Sequence, residues 1–234
     1  MEGEDDLPRR RALSAERSMK NPLQERIVPY RGKDIVVYFH VDRCTHVAEC
    51  LSGLPEVFNT FQQPWVQPDR AEADRVARVI LKCPTGALHF KRLDGGWEEE
   101  PPDTNRIIVI PDGPFYVSAD ASLVSDSGQL LLTDTRLALC RCGASRHSPF
   151  CDGMHVLDDF KDGPDCHSEP AGSSKPGRGK LTITVKTGFP YRVSGPVTVE
   201  DARNRLLFSG TQVALCSCGK SRKKPFCDGS HRKA

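Results

Sequence analysis

Two stretches of the chain gather the residue types that bind soft metals: Cys140, Cys142, Cys151 and His155, then Cys216, Cys218, Cys227 and His231. A shift of 76 positions lays one set on the other without a gap. Cysteines one residue apart can aim both sulfurs at one metal, and the deprotonated thiolate is the form that soft metals select. The remaining pair in each set, Cys151 with His155 or Cys227 with His231, is spaced i and i+4. A helical turn places such a pair on one face. Pro149 and Asp152 suit the start of that turn, the carboxylate lying where helix amides are free. This donor set admits zinc in a closed Cys3His site as well as an iron–sulfur cluster, and spacing does not choose between them.

The second stretch reads Cys216-Ser-Cys218-Gly-Lys-Ser-Arg-Lys-Lys-Pro225-Phe-Cys227-Asp-Gly-Ser-His231 and resembles the CDGSH, or NEET, family throughout. The first departs once, at Met154, where a hydroxyl is lost but no ligand. The resemblance implies a 2Fe-2S cluster on three cysteines and one histidine. Cys140 and Cys142 would hold one iron and Cys151 with His155 the other. Cys216 with Cys218, and Cys227 with His231, would repeat the arrangement.

A third set begins at Cys44-Thr-His-Val-Ala-Glu-Cys50 and ends in Cys83-Pro84-Thr-Gly-Ala-Leu88. It resembles the single-cluster bacterial ferredoxins, including the divergent group that often precedes CDGSH motifs. An ordinary member has a further ligand midway between the first two cysteines, where Val47 stands here. Cys44, Cys50 and Cys83 therefore suit a 3Fe-4S cluster, whereas a 4Fe-4S cluster needs another donor. His46, one residue off the expected position, is the candidate for it.

The elements that must present these residues are short. Ile35-Val-Val-Tyr-Phe reads as a strand within residues 34–41. Ala73, Val76, Val79, Ile80 and Cys83 recur at helical spacing, which predicts a helix from about Asp69, as cap, to Lys82, with Pro84 ending it. Residues 91–102, charged and rich in turn formers, read as a linker. Apolar runs follow at Ile107–Ile110, Phe115–Val117, Ala121–Val124, Leu130–Leu132 and Leu137–Leu139, and the second repeat gives Leu181–Val185, Tyr191–Val193, Val197–Val199, Leu206–Phe208 and Val213–Leu215. These predict short antiparallel strands, duplicated together with the ligand loop.

The expected fold is α+β: a polar extension over 1–26, a small ferredoxin-like domain over 27–92, a first repeat over 103–160, a connector over 161–179 and a second repeat over 180–234. Single-motif NEET proteins pair as homodimers, so the resemblance implies two β-rich repeats packed as an intramolecular pseudo-dimer, and a monomer in solution.

Hydrophobic residues are 38% and aromatics 7%, a composition in which metal sites help to hold small folds together. No apolar run is long enough to cross a membrane, and the opening Met-Glu-Gly-Glu-Asp-Asp is unlike a leader. Ten cysteines in such a chain point to metal ligation in a reducing, cytoplasmic compartment. Cys166, beside His167 in the connector, has no place in the three sets and reads as an incidental loop residue. His40, His89 and His147 are read likewise.

Lys220, Arg222, Lys223, Lys224, Arg232 and Lys233 surround the last set, a basic patch suited to an acidic redox partner. The reading is a non-enzymatic single-electron carrier with two 2Fe-2S clusters and one 3Fe-4S or 4Fe-4S cluster. Its partners are redox proteins or apo acceptors, with no nucleic acid and no membrane. Cluster transfer or redox and pH sensing is the alternative, and a zinc-stabilised module whose basic end meets nucleic acid is a third reading.

Overall fold

The computed structural model describes Leu23, residues 26–162 and residues 178–233. Most of the polar extension, Cys166 and His167 lie outside the described residues.

The N-terminal domain is a three-stranded antiparallel sheet in the order β1 (Ile27–Arg31), β2 (Ile35–His40) and β3 (Leu88–Arg92). One face is covered by α2 (Ala73–Ile80), which follows the short α1 (Glu49–Gly53). Ala73, Val76, Ala77, Val79 and Ile80 form the buried stripe of α2 and pack with Ile35, Val37, Leu54, Val57, Phe58 and Phe90. The helix begins at the first residue of its apolar spacing, but its cap is Glu72, three residues after the expected Asp69. Pro68–Arg70 form a separate 3-10 turn, Ala71 is extended and Glu72 is the cap. Asp69 is engaged elsewhere, its Oδ1 accepting the Lys33 amide at 2.7 Å across the β1–β2 turn.

The repeats share one six-stranded sheet. The first contributes β4 (Arg106–Val109), β5 (Phe115–Ser125) and β6 (Leu130–Leu139), and the second β7 (Leu181–Val185), β8 (Tyr191–Asp201) and β9 (Leu206–Leu215). Apolar runs expected as separate strands fuse here into the long strands β5, β6, β8 and β9. The reason is a register shift between Ser118 and Ala121, repeated between Ser194 and Val197. Before the shift β5 pairs with β4 of its own repeat, and after it with β7 of the other, in parallel. The second repeat does the same with β7 and then β4. Ile107 thus lies between Val117 and Val199, and Ile183 between Val193 and Leu123. Both isoleucines are wholly buried in a core drawn from both repeats. Burial of such a side chain contributes about 1.5–3 kcal/mol.

The segment expected as a linker after the N-terminal domain is structured. Its first residues complete β3, and Glu99 enters a buried polar cluster against β6. Arg136 Nη2 donates to Glu99 Oε1 at 2.9 Å, His89 Nδ1 lies 2.9 Å from Glu99 Oε2, and His89 Nε2 lies 3.3 Å from Asp134 Oδ2. Arg43 forms an ion pair with Asp134, their side chains 1% and 4% exposed. Breaking a pair so deeply buried costs on the order of 3–5 kcal/mol. Arg136 also donates to the carbonyls of Ile80 (2.5 Å), Cys83 (2.9 Å) and Leu88 (2.8 Å). Gly86, with φ at 65°, lies so close to β6 that an added Cβ would stand 2.1 Å from the Arg136 carbonyl oxygen.

Gly86→Ala is therefore expected to destabilise the domain contact by about 2 kcal/mol or more, from the left-handed backbone and the collision together. Urea unfolding followed by Trp65 and Trp97, both in the N-terminal half, reads this directly.

The same contact should respond to pH. Burial acts against charge on His89, but hydrogen bonds to Asp134 and Glu99 outweigh it and raise its pKa to about 9. Glu99 is likewise disfavoured by burial, yet His89 and Arg136 hold it down to about 2. A raised histidine contributes stability below its unfolded pKa of about 6.5 that is lost as pH rises through the folded value. A depressed carboxylate contributes above about 4.3 and loses its share as pH falls toward its folded value. The urea midpoint of the tryptophan-reported transition should therefore be highest between about pH 4.5 and 6.5 and decline toward pH 9. His89→Gln should flatten the decline.

Candidate metal centres

Each CDGSH-like loop starts where a long strand ends. β6 delivers Cys140, whose amide donates to the Pro149 carbonyl at 2.9 Å, while the Cys151 amide returns to Ala138 at 2.8 Å. The bridge between Leu139 and Phe150 closes the loop, setting Cys140 and Cys151 on neighbouring extended segments. β9 does the same with Cys216 to Pro225 at 2.8 Å, Cys227 to Ala214 at 2.9 Å, and the bridge Leu215 to Phe226. The Pro149 and Pro225 peptide bonds are both cis.

Side chains inside the motif shape the loop. Ser145 Oγ donates to the Phe150 carbonyl and Ser221 Oγ to that of Phe226, each at 2.6 Å. Asp152 accepts the amides of Arg146 (2.9 Å) and Met154 (3.1 Å), and Asp228 those of Arg222 and Ser230 (both 2.9 Å). The aspartates thus tie the loop to the turn that carries histidine, α3 (Met154–Leu157) in the first repeat and a 3-10 turn (Ser230–Lys233) in the second. Ser230 also bonds the Asp228 side chain and contributes most to holding that carboxyl below its usual range. Met154 cannot do this for Asp152.

The eight expected donors come together in pairs. Cys140 and Cys142 sulfurs are 3.6 Å apart, and Cys151 Sγ is 3.3 Å from His155 Nδ1. The second loop gives 3.8 Å for Cys216 and Cys218 and 3.3 Å for Cys227 and His231 Nδ1. Among the described residues, no three His, Cys, Asp or Glu side chains are grouped to hold a single metal ion. Contact with Cys142, aided by nearby amides, lowers the Cys140 pKa to about 6, and the same contact pushes Cys142 up. Burial pushes Cys151 up to about 11 and moves His155 down, toward the neutral imidazole. Ionising all three thiols together requires a positive partner such as iron.

The two loops lie back to back. A Cβ on Gly143 would stand 3.0 Å from the Cys218 Cα, and one on Gly219 would stand 2.8 Å from the Cys142 carbonyl oxygen. Both glycines have positive φ, at 82° and 73°. One contact breaks the symmetry. Tyr191 on β8 sends its hydroxyl to the carbonyls of Cys140 (3.0 Å) and Pro149 (3.1 Å) in the other repeat. Its counterpart 76 positions earlier is Phe115.

The third set lines a single cavity in the N-terminal domain. Cys44, Cys50 and Cys83 share it with Thr45, His46, Phe39, Trp65 and Leu88. The Thr45 hydroxyl is buried there without a hydrogen-bond partner among the described residues, the kind of orphan that a cluster sulfide would satisfy. Cys83 Sγ lies 3.4 Å from Thr85 Oγ1. Burial, then the charge of Cys83, pushes Cys50 up to about 11, and burial also raises Cys44. The donor set again needs positive charge among its sulfurs. His46 is exposed with φ at 57°, and its amide bonds the Cys44 sulfur.

His40 packs edge-on against His89 at 5.2 Å in the domain contact, and His147 is exposed. Neither they nor His89 join a donor set. Lys220, Arg222, Lys223 and Arg232 are exposed around the second loop, where Phe189 leans on His231 at 5.4 Å.

A family model described as "Iron-binding zinc finger CDGSH type" matches residues 112–156 and 189–232, covering both loops, and one described as "Divergent 4Fe-4S mono-cluster" matches residues 30–92. The uncharacterized protein YjdI of Escherichia coli (strain K12) is 39% identical over 62 residues, which is 26% of this chain and 82% of YjdI. The chain belongs to the CDGSH iron–sulfur family. It is a tandem member with a divergent single-cluster ferredoxin domain ahead of its repeats. The mouse CDGSH iron-sulfur domain-containing protein 3, mitochondrial, is 36% identical over 63 residues, or 26% of this chain and 46% of that protein. No solved structure matches at a significant level. Among the described residues no helix is long and apolar enough to cross a membrane.

Neither the Tyr191 bridge nor the Thr45 hydroxyl follows from the motifs. The 76-residue register, which sets Tyr191 on Phe115, was the available signal for the first. Tyr191→Phe should make the first CDGSH loop resemble the second, at a cost of about 1–2 kcal/mol for the lost hydrogen bonds. Denaturant unfolding of the iron-loaded protein measures that cost.

Proposed function

We propose that this CDGSH protein is a single-electron carrier and has no substrate chemistry of its own. In this reading Cys140 and Cys142 hold one iron, and Cys151 with His155 the other, of a 2Fe-2S cluster. Cys216, Cys218, Cys227 and His231 hold a second. The observation that carries it is the arrangement of donors two plus two in each loop, which suits a two-iron centre and not a lone zinc ion wanting four donors around one point. Cys44, Cys50 and Cys83 hold the third cluster. The matched family's description favours 4Fe-4S, whereas three thiolates with Val47 between leave one corner free, as in 3Fe-4S.

The exchange of β4 and β7 between long strands supports an intramolecular pseudo-dimer, so one chain supplies both halves and works as a monomer. Partners are redox proteins, with neither nucleic acid nor membrane required, in a reducing, cytoplasmic setting. The half-exposed histidines favour a second reading, release of clusters to apo acceptors, since protonation of a ligand imidazole frees its iron.

Purified protein should contain iron and acid-labile sulfide and be reddish-brown; a colourless zinc protein would end the proposal. Air-oxidised protein with a paramagnetic signal identifies 3Fe-4S, and silence identifies 4Fe-4S. His231→Cys replaces a neutral ligand by an anionic one and should lower the second centre's potential by on the order of 100 mV. Reversible reduction with clusters retained supports a carrier. Appearance of cluster on an apo acceptor, lost in His155→Cys with His231→Cys, supports transfer instead.

A further inference from the structure

Nothing in the motifs says which CDGSH centre the N-terminal centre faces, but the domain contact does. Arg136 lies four residues before Cys140 on β6 and donates through Nη1 to the Cys83 carbonyl at 2.9 Å. One side chain thus joins the strand that presents a first-repeat donor to the backbone of an N-terminal donor. Arg43, the neighbour of Cys44, lays its guanidinium over the ring of Phe150 at 5.0 Å, and Phe150 is the neighbour of Cys151. Tyr116 on β5 is half-buried and pairs with Ala138 on β6, whose carbonyl accepts the Cys151 amide at 2.8 Å. Gly86, three residues after Cys83, permits the close approach of β6. Four donors, Cys44 and Cys83 of the N-terminal set and Cys140 and Cys151 of the first-repeat set, are therefore connected through their neighbours, by hydrogen bond or ring contact, within one contact.

We propose that the N-terminal centre exchanges electrons with the first CDGSH centre in preference to the second, across the contact formed by Arg136, the Arg43–Phe150 stack and Tyr116. This rests on the electron-carrier reading above. The direction proposed is from the Cys44, Cys50 and Cys83 centre toward the first CDGSH centre, whose imidazole stands in place of a thiolate and makes it easier to reduce than an all-thiolate 2Fe-2S centre. One electron leaves the former, which is oxidised, and enters the latter, which is reduced; no bond is made or broken. An external one-electron donor recharges the N-terminal centre. From the first centre, the second is reached through the reciprocal packing of Gly143 on Cys218 and Gly219 on Cys142.

The test uses the full-length iron-loaded protein, charged with less than one electron by a photoexcited flavin and followed by freeze-quench electron paramagnetic resonance. His155→Cys lowers the potential of the first CDGSH centre and is expected to leave the electron on the N-terminal centre. His231→Cys should leave discharge of that centre at the wild-type rate. The opposite pattern, or equal discharge in both variants, overturns the proposal. Tyr116→Leu keeps every ligand and is expected to slow the discharge several-fold with iron and sulfide content unchanged. Discharge at the wild-type rate in that variant also counts against it. Iron and sulfide analysis precedes the flash, so a protein without clusters removes the carrier reading itself and is distinguished from a wrong order of centres.

Discussion

Two short strands, β4 around Ile107 and β7 around Ile183, are each hydrogen-bonded on both sides to long strands from different repeats. Neither repeat could satisfy these bonds alone. Without its partner, the second half of β5 would present an unpaired edge, and such edges invite aggregation. The exchange closes that edge and pools the apolar side chains of two small units into one core, where a single repeat of this composition would bury little. It also dictates where the ligand loops go. β6 and β9 run antiparallel to the exchanged long strands, so the loops at their ends meet at Gly143 and Gly219.

Within that frame, the donor sites are places where charge is prepared and not yet balanced. Amides directed at the sulfurs favour thiolate, while burial and neighbouring thiols oppose it, and in Cys50 and Cys151 the opposition wins. Ionising such thiols takes positive charge, which bound iron supplies, so cluster binding and thiol deprotonation are coupled. The two CDGSH loops are not equivalent in this respect. The first has the Tyr191 hydroxyl on its Cys140 carbonyl and Met154 beside Asp152; the second has Ser230 beside Asp228, and the residue equivalent to Tyr191 is Phe115, which has no hydroxyl. Two centres with the same ligands can differ in potential through such outer contacts alone.

Much of the site was legible because metal ligation demands specific side chains at specific separations. The expected CDGSH-type donors lie in pairs in the loops after β6 and β9, the three N-terminal cysteines line one cavity, and the strands that carry the loops read as duplicated apolar runs. What was not legible is instructive. The fusion of Phe115–Val117 with Ala121–Val124 into one strand depends on a change of partner at the irregularity after Ser118, and a partner 60 residues away leaves no local mark. The helix start was misplaced because Asp69 is as good a cap as any carboxylate by type, yet its oxygen is taken by Lys33. Residues 91–102 looked like a linker because their charges have no apolar period. Their purpose is ionic, and Glu99 finds its cations in other parts of the chain.

The two interfaces of the molecule are accordingly of different kinds. Repeat meets repeat chiefly through main-chain ladders and an apolar core, with the ion pairs Arg106–Glu200 and Lys186–Asp126 outside that core. The N-terminal domain meets the first repeat through a buried cluster of two arginines, one histidine and two carboxylates around the tightly packed Gly86. Such a cluster is orientation-specific, since each arginine fork must meet its own carbonyls and carboxylates, and removal of any member strands a charge. Hydrophobic packing would have tolerated sliding; this contact fixes Cys83 against Arg136 and Arg43 against Phe150 to within a hydrogen bond. Electron exchange between centres falls steeply with separation, so a contact that cannot slide is the kind that function would require at this junction.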